Sequence, residues 1–154
     1  MIQESLKIKG WYELQCFKTD GTLRWEASVK NIVTNAGKAQ LALLAGDATA
    51  TPFTYIGLGS SATAVVGTDT QLTAEIASGG LSRASGTVSR VTTSTTNDTY
   101  QVTKTFTASA TLTVEELGVF NAASTGTMLS HALTGTKQVM STDTIVVTYK
   151  LQFS

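Results

Sequence analysis

One cysteine, one proline and one histidine are all the chain has of these residues, and only 14% of its 154 residues are charged. Each scarcity excludes something. Cys16 has no partner for an internal disulfide, and one Cys with one His cannot close a zinc site without several carboxylates. A hydrolytic triad would need His131 beside a nucleophile, and no G-x-S-x-G is present to supply one. The opening residues, M-I-Q-E-S-L-K-I-K-G, lack the apolar core of a signal peptide, and no run approaches the length of a membrane span. The expectation is synthesis and folding in a reducing cytosol, which counts against exported pilins and adhesins of similar composition. An excess of either charge is missing too, because 11 basic residues face 11 acidic ones. A neutral chain has no overall pull toward nucleic acid or an anionic membrane, so neither is expected as a partner. Near-zero net charge suits a protein packed against its neighbours, and a homo-oligomer is expected.

What the chain has in quantity is threonine, followed by alanine, serine and glycine. β-branched and small residues favour sheet, and glycines supply turns. The clearest local signal lies in residues 5–30. Asp20-Gly21 suits a two-residue type I′ hairpin turn. That turn pairs Lys18 with Leu23, Cys16 with Trp25, Leu14 with Ala27 and Tyr12 with Val29 on an apolar face. The other face pairs Phe17 with Arg24, Gln15 with Glu26, Glu13 with Ser28 and Trp11 with Lys30. Residues 36–45 read as a short helix, N-capped by Asn35 and stopped by Gly46, with Leu41, Leu44 and Ala45 buried. Strands are expected at 53–58, 111–120, 128–133 and 145–153, with a hairpin over 81–108 whose tip is T-S-T-T-N-D-T. Tyr100, Val102 and Phe106 share a face of its return strand. In the last strand Ile145, Val147, Tyr149, Leu151 and Phe153 point in, and Val146, Thr148, Lys150 and Gln152 point out. The fold expected is mainly β: one antiparallel β-sandwich or barrel-like domain over 1–154 with one short α-helix, residues 1–5 forming an N-terminal arm.

The stretch Y-I-G-L-G-S-S at 55–61 raises the question of a phosphate loop. It contains neither G-x-x-x-x-G-K-[ST] nor a third glycine opening a helix, so a strand bending at Gly57 and Gly59 is the preferred reading. His131 falls within a strand and reads as structural. Cys16 reads as a small apolar core residue. Asp69 and Glu75 sit at the ends of a short turn that Asp69 can cap through its side chain, without the oxygen density of a calcium loop. Glu115 and Glu116 point to opposite faces of a strand, so one faces inward and needs a partner, with Arg83 and Arg90 as candidates. No catalytic residue, cofactor or metal is expected. Trp11 and Phe17, on the polar face of the first hairpin, are either stacked over Lys30 and Arg24 or a contact surface for another subunit.

Taken in order, N-I-V-T-N-A-G-K-x-x-L-A-x-L, Y-I-G-L-G-S, T-D-T-x-L-x-x-E, E-E-L-G-V-F-N, S-T-G-T-M-L-S-H and D-T-I-V-V-T-Y-K-L-Q-F form a collinear pattern over about residues 30–154. The pattern resembles small virion proteins of tailed bacteriophages, of the capsid-decoration and tail-collar fibre kind. The resemblance implies a non-enzymatic, β-rich virion component assembled in the host bacterial cytoplasm, with the major capsid protein or tail components as partners. A capsid decoration or cement protein that stabilises the head is the first expectation. A tail-side collar, fibre-base or baseplate adaptor is the alternative, and a carbohydrate-binding module on a fibre is the third.

Overall fold

The computed structural model describes residues 3–154. Positions 1–2 of the expected arm therefore lie outside the described residues, and 3–5 are exposed and without regular structure. Among the described residues the elements run β1 (Ile8–Phe17), β2 (Leu23–Lys30), β3 (Ile32–Val33), α1 (Asn35–Gly46), β4 (Tyr55–Gly59), β5 (Ala84–Ser85), β6 (Thr87–Val91), β7 (Thr99–Thr107), β8 (Leu112–Phe120), β9 (Met128–Val139) and β10 (Thr144–Phe153). They build two five-stranded antiparallel sheets, β2-β1-β10-β7-β6 and β3-β9-β8-β4-β5. The architecture is a β-sandwich with one short helix. The chain switches sheets where two strands meet end to end. Asn31 separates β2 from β3, and Gly86 separates β5 from β6. Gly86 is required at its corner, since a Cβ there would lie 2.7 Å from the Thr103 carbonyl oxygen.

Period-two patterning places the core. Tyr12, Leu14 and Cys16 of β1 and Ile145, Val147, Tyr149 and Leu151 of β10 face Ile56, Leu58, Leu117, Val119 and Ala132 of the second sheet, and all are buried. The Tyr12 and Tyr149 rings pack with centroids 4.8 Å apart. The Tyr12 hydroxyl reaches Ser130 Oγ at 2.5 Å across the sandwich, so one of the largest core residues also carries a polar tie. Its hydroxyl is held neutral well above the ordinary tyrosine range, first by burial and then by the neighbouring Tyr149.

The first hairpin keeps the expected register from Trp11–Lys30 through Cys16–Trp25 and then departs from it. Gly21 donates to the Lys18 carbonyl (2.9 Å) and sits at φ 83°, whereas Asp20 does not enter the left-handed region. The loop is thus three residues long with a glycine bulge, not a two-residue type I′ turn. The extra residue shifts the pairing, so Phe17 lies opposite Leu23 and not Arg24.

The helix cap is Thr34, not Asn35: its Oγ1 accepts from Gly37 N at 2.9 Å. Leu41 and Leu44 are half-buried, and Ala45 is exposed, because the helix lies across one end of the sandwich and only its Gly37 is fully enclosed. β4 begins two residues later than expected and runs to Gly59, while β9 continues to Val139, past the expected end at 133. Gln152, expected to point to solvent, is buried: its amide donates to Ser94 Oγ (2.9 Å) and Asp98 Oδ2 (3.1 Å) of the folded-over β6–β7 loop. Phe153, expected inside, is half-buried at the end of its strand. No helix among the described residues is long and apolar enough to cross a membrane.

Candidate functional site

The second sheet is covered on its outer face by residues 60–83, a strap that crosses from β4 to β5 with little regular structure of its own. The residues beneath it come from strands at period two: Gly57 and Gly59 of β4, and Glu116, Gly118 and Phe120 of β8. Gly57 and Gly59 do not bend the strand, contrary to the sequence reading. They are spaces. A Cβ on Gly59 would stand 2.4 Å from Glu116 Oε1, and one on Gly57 would stand 3.0 Å from the Phe120 ring. A Cβ on Gly118 would meet the same ring at 2.8 Å. The bare backbone lets Leu72 of the strap reach Phe120 and Met128, forming a small apolar cluster distinct from the main core.

Glu116 is fully buried here, and neither Arg83 nor Arg90 is its partner. Its Oε1 accepts from Ala74 N at 2.7 Å and its Oε2 from Thr73 N at 3.0 Å, so one carboxylate clamps two consecutive backbone amides of the strap. Oε2 also lies 2.8 Å from His131 Nε2. The other imidazole nitrogen, Nδ1, lies 2.8 Å from Asp69 Oδ2, and that same oxygen accepts from Val66 N at 2.8 Å. Asp69 therefore closes the preceding turn, Val66–Asp69, and not the 69–75 turn expected of it, and in addition tethers the strap to β9. Burial alone would raise the Asp69 carboxyl, but the Val66 amide and then His131 outweigh it and hold it below the usual carboxylate range.

A neutral imidazole offers one donor and one acceptor, and ionised carboxylates only accept. With oxygens at both nitrogens, the Asp69–His131–Glu116 chain needs one proton more than a neutral ring and two carboxylates supply. Glu75, the last acid of the strap, belongs to Arg83: the guanidinium grips it through Nε (2.7 Å) and Nη2 (2.6 Å) and lies 3.4 Å from the Phe120 ring centre. Arg83 Nη1 further donates to the Thr125 carbonyl at 2.8 Å, tying the strap's end to the β8–β9 turn.

Chemically, this arrangement is a lock. Both nitrogens of His131 are occupied by carboxylates, and the ring is 1% exposed, so neither is presented to a substrate. Among the described residues no group of three or more His, Cys, Asp or Glu side chains converges as metal ligands. Cys16 is buried as expected, and burial followed by the adjacent Asp143 pushes its thiol up to about 11, which keeps it unreactive.

Trp11 and Phe17 lie elsewhere, on the outer face of the first sheet. Both are half-buried. They are six residues apart on β1, about 20 Å along the strand, so they share a face but not a patch. Trp11 does not stack on Lys30. Lys9 and Lys150 stand 5.8 and 5.9 Å from its ring centre, and its Nε1 donates to Glu13 Oε1 at 3.1 Å. Phe17 lacks Arg24, which turns away to Asp143. Between the two aromatics the face carries Gln15, Ser28, Val146 and Thr148 around a shallow depression of about 450 Å³.

Sequence reasoning missed the three-residue chain through His131. A signal was available, because β8 and β9 pair Gly118 with His131, which makes Glu116 its diagonal neighbour on one face. No family model matches the chain, and no curated protein or solved structure does either.

Proposed function

We propose that this chain is a non-enzymatic structural protein of a tailed-bacteriophage virion, a decoration protein that binds and stabilises the head. The observation that carries this reading is the convergence of the resembling motifs. Gly57 and Gly59 of Y-I-G-L-G-S, Asp69, Leu72 and Glu75 of T-D-T-x-L-x-x-E, Glu116, Gly118 and Phe120 of E-E-L-G-V-F, and Met128 and His131 of M-L-S-H all meet at the strap. Four of the six stretches that resemble virion proteins therefore form a single packing device, not a scatter of short matches. Its acids and its histidine are spent on holding the fold, which suits a scaffold and leaves recognition to the surface. That surface includes the mostly polar outer face of the first sheet, where Glu13, Glu26, Lys30 and Lys150 stand among uncharged side chains, with Trp11 and Phe17 at its ends as contact residues for another subunit or for the capsid. A sugar-binding module would group aromatics around a groove, whereas these two stand far apart.

The test is to separate virions into heads and tails and quantify the protein in each by mass spectrometry. Hundreds of copies on heads are expected. A handful on tails would replace decoration with a collar or fibre-base adaptor, and absence from both fractions would overturn the virion reading.

A further inference from the structure

The inward-facing stripe of β1 does not stop where the opposite sheet stops. Its even positions run Leu6, Ile8, Gly10, Tyr12, Leu14, Cys16. Tyr12, Leu14 and Cys16 are fully covered, yet Ile8 is 39% and Leu6 71% exposed. The segment is held straight as far as Lys7, whose carbonyl accepts from Ser154 N at 2.9 Å. Beyond that, residues 3–6 are exposed, carry the apolar side chain of Leu6 and pair with no strand among the described residues.

At the far edge of the same sheet is a complementary surface. β6 has β7 on one side and no strand among the described residues on the other. Its inward face opens into an apolar groove of about 560 Å³, lined by Val88 together with Leu41, Leu44, Phe53, Leu151 and Phe153. Val88 is 45% exposed. Arg90, on the groove's rim, has no salt-bridge partner among the described residues, and neither does Glu4 of the projecting segment. β6 carries no proline or bulge to protect its edge.

We infer that residues 3–6 of one copy add as an antiparallel strand to the β6 edge of a second copy, with Leu6 opposite Val88 and Glu4 opposite Arg90. One register serves Leu6, Ser5 and Glu4 at once. Setting Leu6 against Val88 places Glu4 against Arg90 on the groove side and Ser5 against Ser89 on the outer side. A shift of one residue would turn Leu6 to solvent. The arm cannot serve its own chain. β10 and β7 separate β1 from β6, about 14 Å of sheet, while Lys7 is fixed beside Ser154 and Leu6 lies one residue, about 3.4 Å, beyond it. Neutral net charge opposes no such contact. Main-chain pairing supplies affinity and the alternate side chains supply register, the logic of strand addition to an open edge. Each copy gives one arm and accepts one, so the product is a reciprocal dimer, a closed ring or an open filament.

The inference concerns purified protein and stands apart from the virion reading. Sedimentation of the full chain over a concentration series is expected to show self-association. Leu6→Asp raises the dissociation constant tenfold or more, by roughly the loss of one buried leucine. Glu4→Arg weakens association, and Glu4→Arg with Arg90→Glu restores it. Leu6→Cys and Val88→Cys proteins, mixed under mild oxidation, form a disulfide joining 6 of one chain to 88 of another; the native Cys16 is buried and stays out of the reaction. Positions 6 and 88 are exposed, so these variants fold, which a melting curve checks. A monomer at every concentration, or association unchanged by Leu6→Asp, overturns the inference.

Discussion

Asp143 is 1% exposed and ties three elements at once. It receives Arg24 through Nε (2.5 Å) and Nη2 (3.0 Å) from β2, the Met140 amide (2.9 Å) from its own turn, and the Cys16 thiol (3.7 Å) from β1. Arg24 is the chief cause that holds its carboxyl below the usual range, ahead of the opposing effect of burial and the help of the Met140 amide. Asp98 is lowered in the same direction, first by the Thr95 amide and, against burial, by the Thr93 and Ser94 amides and Gln152. A carboxyl lowered on folding contributes stability that is present above its unfolded value, near about 4, and lost as pH falls through the lowered folded value. Unfolding free energy measured by denaturant is therefore expected to decline on the acid side below about pH 4, and Asp143→Asn is expected to flatten part of that decline while destabilising the protein at neutral pH. An unchanged acid slope in the variant would remove Asp143 from this account. Cys16 as a core residue was readable from its place in an alternating strand. Its acid neighbour was not, because Asp143 lies 127 residues away and only the β1–β10 pairing brings the two together.

Among the elements, the strap over residues 60–83 depends most on contacts remote in the chain. Gly59→Ala places a methyl against the clamping carboxylate and is expected to cost about 1–3 kcal/mol, as overpacking does. Glu116→Ala removes the acceptor for two amides and for His131 together and is expected to cost about 3–5 kcal/mol, the usual penalty for breaking a buried charged network. Thermal unfolding measures both losses. Limited proteolysis locates them: cleavage within 60–83 should appear before the rest of the fold opens, and cleavage spread evenly over the chain would show that the strap is not a separately releasable unit. Strands were legible because alternation survives in the sequence, as in β10, whose Ile145, Val147, Tyr149 and Leu151 are all buried as read. The strap was not legible, because it has no period. Its Asp69 and Leu72 are spaced to meet β9 and β8, and that spacing has meaning only against the sheet beneath. Loop closure was half legible: Asp20-Gly21 marked the turn, but the single left-handed residue at Gly21 decided a three-residue loop and moved Phe17 away from Arg24.

At the scale of the whole molecule, the described residues offer contacts on the outer face of the first sheet, in the groove beside α1 and along the open side of β6. If the proposed virion role holds, Trp11→Ala with Phe17→Ala is expected to weaken assembly with the partner while changing the melting temperature little, since both rings are only half-buried on the outer face. Light scattering of the assembly reaction checks this, and assembly at wild-type strength would remove that face from the interface. Composition and periodicity were enough to establish a mainly β chain with one short helix, an inward stripe on each long strand and a neutral surface, because these properties follow from residues adjacent or two apart. Folding alone settled that the sheets are two and separate, that Glu116 answers to His131 and two backbone amides instead of an arginine, and that Gly57 and Gly59 are spaces instead of hinges. Those outcomes rest on which strand lies beside which and on the room left between side chains distant in the chain, and a one-dimensional pattern carries neither.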